Sequence, residues 1–186
     1  AAQGVARERL ALRGPSGPRR GPAMRDLGII EDGALLIADG VITNVGSTRR
    51  IENLGEARAA EVIEAAGRVV MPGFVDPHTH LIWAGDRASE FELKMSGMPY
   101  LDILAAGGGI LSTVKQTRAA SMETLITQSR SRLLRMFVHG TTTAEAKTGY
   151  GLQTATELRL LKALIALDDE SPLDLAITFL GAHAIA

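Results

Sequence analysis

Four histidines and no cysteine set the chemistry open to this 186-residue chain. Without thiols there are no disulfides, no thiolate metal sites, no cysteine nucleophile and no iron–sulfur cluster. Metal chemistry must run through imidazole and carboxylate. Two of the histidines stand two residues apart in Asp76-Pro77-His78-Thr79-His80. In extended backbone such residues project to one face, so both imidazoles converge on one point, as a mononuclear or binuclear metal site requires. The plainer reading of this spacing is a pair hydrogen-bonded to backbone on a half-exposed strand. His139 precedes Gly140 at the end of a helical pattern, where an imidazole suits the negative end of the helix dipole; its expected role is structural. Gly107-Gly108-Gly109 lacks the spacing of a dinucleotide fingerprint. No Gly-Lys-[Ser/Thr] or Gly-x-Ser-x-Gly occurs, which removes phosphate loops and serine elbows from view.

The elements that must position these groups follow from periodicity. Residues 69–75 are almost continuously apolar, as in a strand covered on both faces, and they run into the histidine pair. Residues 121–139 carry Met122, Leu125, Ile126, Leu133, Met136 and Phe137 at helical spacing, with Gly140 as the stop. Thr141–Lys147 is short and β-branched, a second strand. Thr154-Ala155-Thr156-Glu157 matches a capping box ahead of Leu158, Leu161 and Ile165. Pro172 ends that helix, and residues 173–180 read as a third strand. Strand, helix, strand, helix, strand predicts parallel βαβ units and an α/β fold. Upstream, residues 1–66 read as a small β-rich portion. Asp39-Gly40 hinges a hairpin there, Ala66-Gly67 hinges another strand pair, and residues 1–27 form a Gly/Pro-rich loop after a short strand at 9–12.

Several motifs carry a resemblance. Val70-Met71-Pro72-Gly73-Phe74-Val75-Asp76-Pro77-His78-Thr79-His80 resembles the opening motif of the amidohydrolase superfamily. Trp83-Ala84-Gly85-Asp86-Arg87, Glu90-Phe91-Glu92 and Ala106-Gly107-Gly108-Gly109-Ile110 are similar to its imidazolonepropionase branch. So are Glu145-Ala146-Lys147-Thr148-Gly149-Tyr150-Gly151 and Phe179-Leu180-Gly181-Ala182-His183. The resemblance implies hydrolysis of the ring C–N bond of 4-imidazolone-5-propanoate to N-formimidoyl-L-glutamate in histidine breakdown. It implies one metal ion, zinc or iron, with His78 and His80 as ligands. Arg87 and Tyr150 are then substrate contacts, and His183 contacts substrate and polarises its carbonyl or passes a proton. Residues 67–186 become the first three strand units of a TIM-type (β/α) barrel, and residues 1–66 part of a small composite β-sandwich. Lys147 invites comparison with the carboxylated lysine that bridges two metals in other amidohydrolases. That residue belongs to a later strand, so Glu145 or the barrel wall is the expected partner.

The resemblance also sets limits. From Gly67 onward there are about 120 residues, against ~250 in a complete eight-unit barrel. The further histidine and aspartate ligands and the water-activating glutamate have no counterpart here, so the chain is expected to be an N-terminal fragment, inactive by itself. With 20 Lys+Arg against 21 Asp+Glu and a net charge of −1, no basic footprint for nucleic acid or a membrane surface is present. The longest apolar stretch, 158–167, is broken by Arg159 and Lys162, and no signal-peptide pattern occurs. A cytoplasmic location is expected, and a homodimer is compatible with the full-length parent. Two other readings remain open: another metal-dependent cyclic amidohydrolase or deaminase, and a non-catalytic partial barrel. Arg87, Tyr150 and His183 separate an imidazolonepropionase from these other enzymes, because a deaminase acting on an uncharged base needs no carboxylate clamp.

Overall fold

The computed structural model describes residues 3–7 and 18–185, and the chain divides into two compact units, Ala1–Pro72 and Gly73–Ala186. The sequence reading puts that division at 66/67. The first unit holds strands β1 (Gln3–Arg7), β2 (Gly33–Ala38) and β3 (Val41–Ser47), helix α1 (Thr48–Glu52) and strand β4 (Glu61–Glu64). The sheet order is β3-β2-β1-β4, antiparallel except for the parallel β1–β4 pair. Asp39 (φ 53°) and Gly40 (φ 76°) both take left-handed backbone, as a two-residue hairpin turn demands. Ala34, Leu36 and Ile51 form the small core. The strand expected at 9–12 lies outside the described residues, as do residues 13–17 of the Gly/Pro loop, whose described part includes a 3-10 helix at Gly21–Arg25. Around Ala66-Gly67 the expected strand pair reduces to β4, a turn and a single bridge at Val70.

The second unit is α/β. Strand β5 (Phe74–Thr79) is followed by helices α2 (Ala88–Met95), α3 (Tyr100–Ala105), α4 (Ile110–Ala119) and α5 (Met122–Val138). Strand β6 (Thr141–Lys147), helix α6 (Thr154–Glu170) and strand β7 (Asp174–Thr178) complete it. The three strands are parallel, in the order β5-β6-β7. Helix α5 starts where Ser121 Oγ accepts the Thr124 N–H at 3.0 Å and stops at Gly140 (φ 92°). In α6, Leu160, Ala163, Leu164 and Leu167 repeat at i, i+3, i+4, i+7 and are fully buried. They share a core with Leu125 and Leu133 of α5, Ala144 and Ala146 of β6, and Leu173 and Leu175. Each such leucine is worth about 1.5–3 kcal/mol of burial. Among the described residues no helix is long and apolar enough to cross a membrane.

Two local expectations need correction. Strand β5 begins at Phe74, not Val69. Pro72 has no N–H to give a ladder, and the first bond is Phe74 N–H to the Gly140 carbonyl at 2.8 Å. Nor is β5 covered on both faces: it is an edge strand here, with Phe74 and Val75 55% and 65% exposed. The capping box at Thr154 is also absent. Gln153 holds the N-cap position without a cap bond to the helix backbone, its Nε2 instead donating to Thr156 Oγ1 at 2.8 Å, and Glu157 has turned away to other partners.

Candidate active site at the strand ends

His78 lies near the end of β5 and His80 one residue beyond it, with ring centroids 5.7 Å apart and planes at 65°. Between them Thr79 turns to β6, its hydroxyl donating to the Glu145 carbonyl at 2.6 Å. His80 Nδ1 sits 3.0 Å from the Thr148 carbonyl oxygen. A carbonyl only accepts, so Nδ1 carries the proton and Nε2 keeps a free lone pair. Burial, then the neighbouring His183, holds the His80 pKa below the usual 6.5, which favours that neutral form. His183, in the turn after β7, repeats the pattern with Nδ1 3.0 Å from the Gly149 carbonyl. The two rings stack at 4.3 Å with only 19° between planes. Tyr150 completes the group, 4.9 Å from His80 and 5.4 Å from His183 between centroids. Burial pushes its phenol pKa up, so it remains a hydrogen-bond donor, while the charge of Arg87 acts the other way.

The loop that carries Tyr150 is held from beneath. Glu157, 1% exposed, accepts the Gly149 N–H on Oε2 at 2.9 Å and the Gly151 and Leu152 N–H groups on Oε1 at 2.6 and 2.8 Å. Arg118 Nε donates to the Gly151 carbonyl at 2.6 Å. The Thr148 N–H reaches the Thr178 carbonyl at 3.0 Å, and its hydroxyl accepts the Leu180 N–H at 3.0 Å, tying the loop to the segment leading to His183. A Cβ at Gly149 would lie 2.8 Å from His183 Cβ, and one at Gly151 would lie 2.8 Å from Glu157 Oε1. Only glycine permits both approaches.

Arg87 enters differently. It stands at the N-cap of α2, and its Nε donates to Glu90 Oε2 at 2.8 Å, with Nη2 on the same oxygen. Glu90 is 6% exposed, and its other oxygen accepts the Gly109 N–H at 2.9 Å, joining the arginine to the triple-glycine segment. The Glu90 carboxyl is held below its usual range, chiefly by the Arg87 hydrogen bond. With one edge of the guanidinium on Glu90, its Nη1/Nη2 end still offers two parallel donors. Arg87 acts on this group through its charge on Tyr150.

The remaining neighbours are structural. Lys147 pairs with Glu145, the partner the sequence suggests, and Thr178 Oγ1 donates to the same oxygen at 2.8 Å. His139 Nδ1 lies 2.7 Å from the Arg135 carbonyl at the end of α5. Arg132 stacks 3.6 Å over Trp83 and donates to the Leu81 and Trp83 carbonyls at 3.1 and 2.9 Å, fixing the chain just past His80. Burial pulls its pKa down. Sequence reasoning passes over Glu157 and Glu90 as site-builders. The available signal was a buried acidic residue in each helix's first turn, Glu90 three residues past Arg87 and Glu157 six residues past Gly151.

Among the described residues no three histidines, aspartates or glutamates gather to hold a metal ion. The donor set present is two imidazoles, one with its tautomer set by a carbonyl behind it, the usual support for a metal-bound histidine. It fits part of a zinc or iron site, since a catalytic zinc usually has three protein ligands.

Residues 61–106 match the Amidohydrolase family. The chain is 51% identical over 176 residues to the imidazolonepropionase of Alkaliphilus metalliredigens, covering 95% of this chain and 42% of that protein. It is 53% identical over 169 residues to the imidazolonepropionase of Bacillus velezensis, covering 91% and 39%. The chain therefore spans about two-fifths of the length of the curated relatives it matches. Among solved structures it is similar to 5-methylcytosine deaminase from Klebsiella pneumoniae, with a TM-score of 0.60 and 21% identity over 93% of this chain and 35% of that one. It is also similar to E. coli guanine deaminase, with a TM-score of 0.58 and 19% identity over 97% and 36%. At those identities the likeness is of fold alone.

Proposed function

With this similarity to imidazolonepropionases of the amidohydrolase family as premise, we propose that the chain supplies one wall of a metal-dependent hydrolase site. The reaction is opening of the ring C–N bond of 4-imidazolone-5-propanoate to N-formimidoyl-L-glutamate. The observation that carries the reading is the gathering of His78, His80, Tyr150 and His183 at one end of three parallel strands. In this reading the strands are the first three of a (β/α) barrel, whose C-terminal face is where such enzymes work. Residues 1–66 are then part of the accompanying small β domain.

His78 and His80 hold the metal, zinc or iron, through ring nitrogens. A bound metal acidifies water and offsets negative charge developing on oxygen. The Arg87 end fork binds the propanoate tail, and Glu90 fixes the plane of that fork. The Tyr150 phenol donates a hydrogen bond to the substrate, and its ring covers the heterocycle. His183, with Nδ1–H committed to Gly149, meets the substrate with Nε2, where it takes up a proton or, once protonated, donates one to the ring. The protein is placed in the cytoplasm, acts on a small molecule without nucleic acid or membrane, and is compatible with a homodimer at full length.

The test is an assay of the natural full-length protein on imidazolonepropanoate with metal analysis alongside. Formimidoyl-glutamate with about one metal per site supports the reading. Ammonia release from cytosine or guanine, with imidazolonepropanoate untouched, makes the protein a deaminase instead.

A further inference from the structure

We propose that Glu157 is a positioning residue for the whole candidate site, acting through the loop Thr148-Gly149-Tyr150-Gly151-Leu152. The proposal rests on reading His80, Tyr150 and His183 as the groups that face metal and substrate. A single buried carboxylate takes three backbone N–H groups from this loop, at Gly149, Gly151 and Leu152. The same loop presents two consecutive carbonyls, Thr148 to the Nδ1 of His80 and Gly149 to the Nδ1 of His183. Tyr150 is the next residue. Both imidazole tautomers and the tyrosine ring therefore depend on one stretch of backbone, three of whose N–H groups are held by one side chain.

The chemistry suits a carboxylate and nothing else at this position. Three N–H donors converge on two oxygens, and an ionised carboxylate has acceptor capacity on both and no hydrogen to clash with them. The site also has no slack, because Gly151 already brings its Cα against the Glu157 head and Gly149 lies against His183. Leu152 holds a left-handed φ of 50°, a conformation that the bond to Oε1 helps to retain. Arg118, with its own bond to the Gly151 carbonyl, adds a second tether but reaches neither Gly149 nor the imidazoles.

Glu157→Gln tests this with little change of volume. The amide keeps one oxygen, which retains the two bonds to Gly151 and Leu152, and turns its NH₂ toward the Gly149 N–H. In the purified protein, NMR should show amide exchange at least ~10-fold faster at Gly149 than in the parent, with Gly151 and Leu152 less affected. Imidazole nitrogen shifts of His183 should move away from the pure Nδ1–H form. Glu157→Ala should loosen all three amides and disturb His80 as well. If that variant does not fold, the glutamine variant alone decides. On imidazolonepropanoate, Glu157→Gln should lower kcat/KM by about 100-fold, the scale of a misplacement near 1 Å. Unchanged Gly149 exchange and unchanged histidine tautomers, with only a lower melting temperature, would reduce Glu157 to a stabiliser of α6 and overturn the proposal. If exchange and tautomers respond while neither protein hydrolyses imidazolonepropanoate, the positioning role stands and the proposed substrate falls.

Discussion

Gly149→Ala probes the tightest contact in the site. Gly149 has φ +118°, a region that costs a side-chain-bearing residue about 1–3 kcal/mol. The added methyl would stand 2.8 Å from Cβ, 3.0 Å from Nδ1 and 3.1 Å from Cγ of His183. That ring cannot simply swing aside, since it is stacked at 4.3 Å on His80 and bonded to the Gly149 carbonyl. Overpacking of this kind costs about 1–3 kcal/mol more. The total, about 2–6 kcal/mol, corresponds to roughly 5–15 °C in melting temperature for a protein of this size. Gly97→Ala is the control: φ is +88°, but nothing lies within 4 Å of the new carbon, so only the backbone strain applies. Denaturant unfolding of both variants isolates the contact with His183 as the difference between them. Full-length Gly149→Ala should also lose about 100-fold in kcat/KM, and Gly97→Ala should keep its activity. Equal stability losses in the two variants would show that His183 does not pack on Gly149, and the ring cluster would need to be redrawn.

Other outcomes follow from the same geometry. Arg87→Lys keeps the charge but not the two-donor end, so KM for the proposed propanoate substrate should rise about 10–100-fold at unchanged metal content, as read by steady-state kinetics and metal analysis. Glu90 has a lowered pKa when folded. Its contribution is therefore present above its unfolded value near 4.5 and fades as pH falls through the folded value. The stability gap between parent and Glu90→Gln should accordingly shrink from pH 6 toward pH 3 in thermal melts. Arg132→Ala removes the stacking on Trp83 and two bonds to carbonyls, which should cost about 2–4 kcal/mol in urea unfolding. Arg132→Lys should recover only part of that loss.

Where local chemistry dominates, the sequence was enough. Thr141–Lys147 is bracketed by Gly140 and Thr148-Gly149, and its β-branched run forms the strand over the expected residues. The 121–139 helix and the Asp39-Gly40 hairpin are equally local, being set by a cap, a stop and a turn. The start of β5 was not legible, because Val69-Val70-Met71 is as apolar as Phe74-Val75 and only the ladder to Gly140 tells them apart. Strand β1 pairs with β2 and β4, both far along the chain, which no periodicity announces. At the candidate site, His78, His80, Tyr150 and His183 stood out by type and motif, and the folded chain gathers them. Glu157 and Glu90 did not stand out. Glu157 fits a capping pattern in the first turn of a helix, and three loop N–H groups outcompeted that cap only once the Gly149-Tyr150-Gly151 backbone had folded over it.

The hydrogen bond from His80 to the Thr148 carbonyl also bears on the order in which the molecule is made. Its two ends are separated by 68 residues, and the Arg132 bonds to Leu81 and Trp83 span 51 and 49. At a ribosomal rate of about 5–20 residues per second, roughly 3–14 s pass between synthesis of His80 and synthesis of the backbone that selects its tautomer. For most of that interval the histidine pair sits on a nascent strand with neither its carbonyl brace nor the arginine that pins the following turn. A metal ion arriving early would meet two loosely held imidazoles of either tautomer. If His78 and His80 hold a metal as proposed, its loading is expected to follow the emergence of Thr148, so that the timing of capture would be written into the sequence separation of one hydrogen bond.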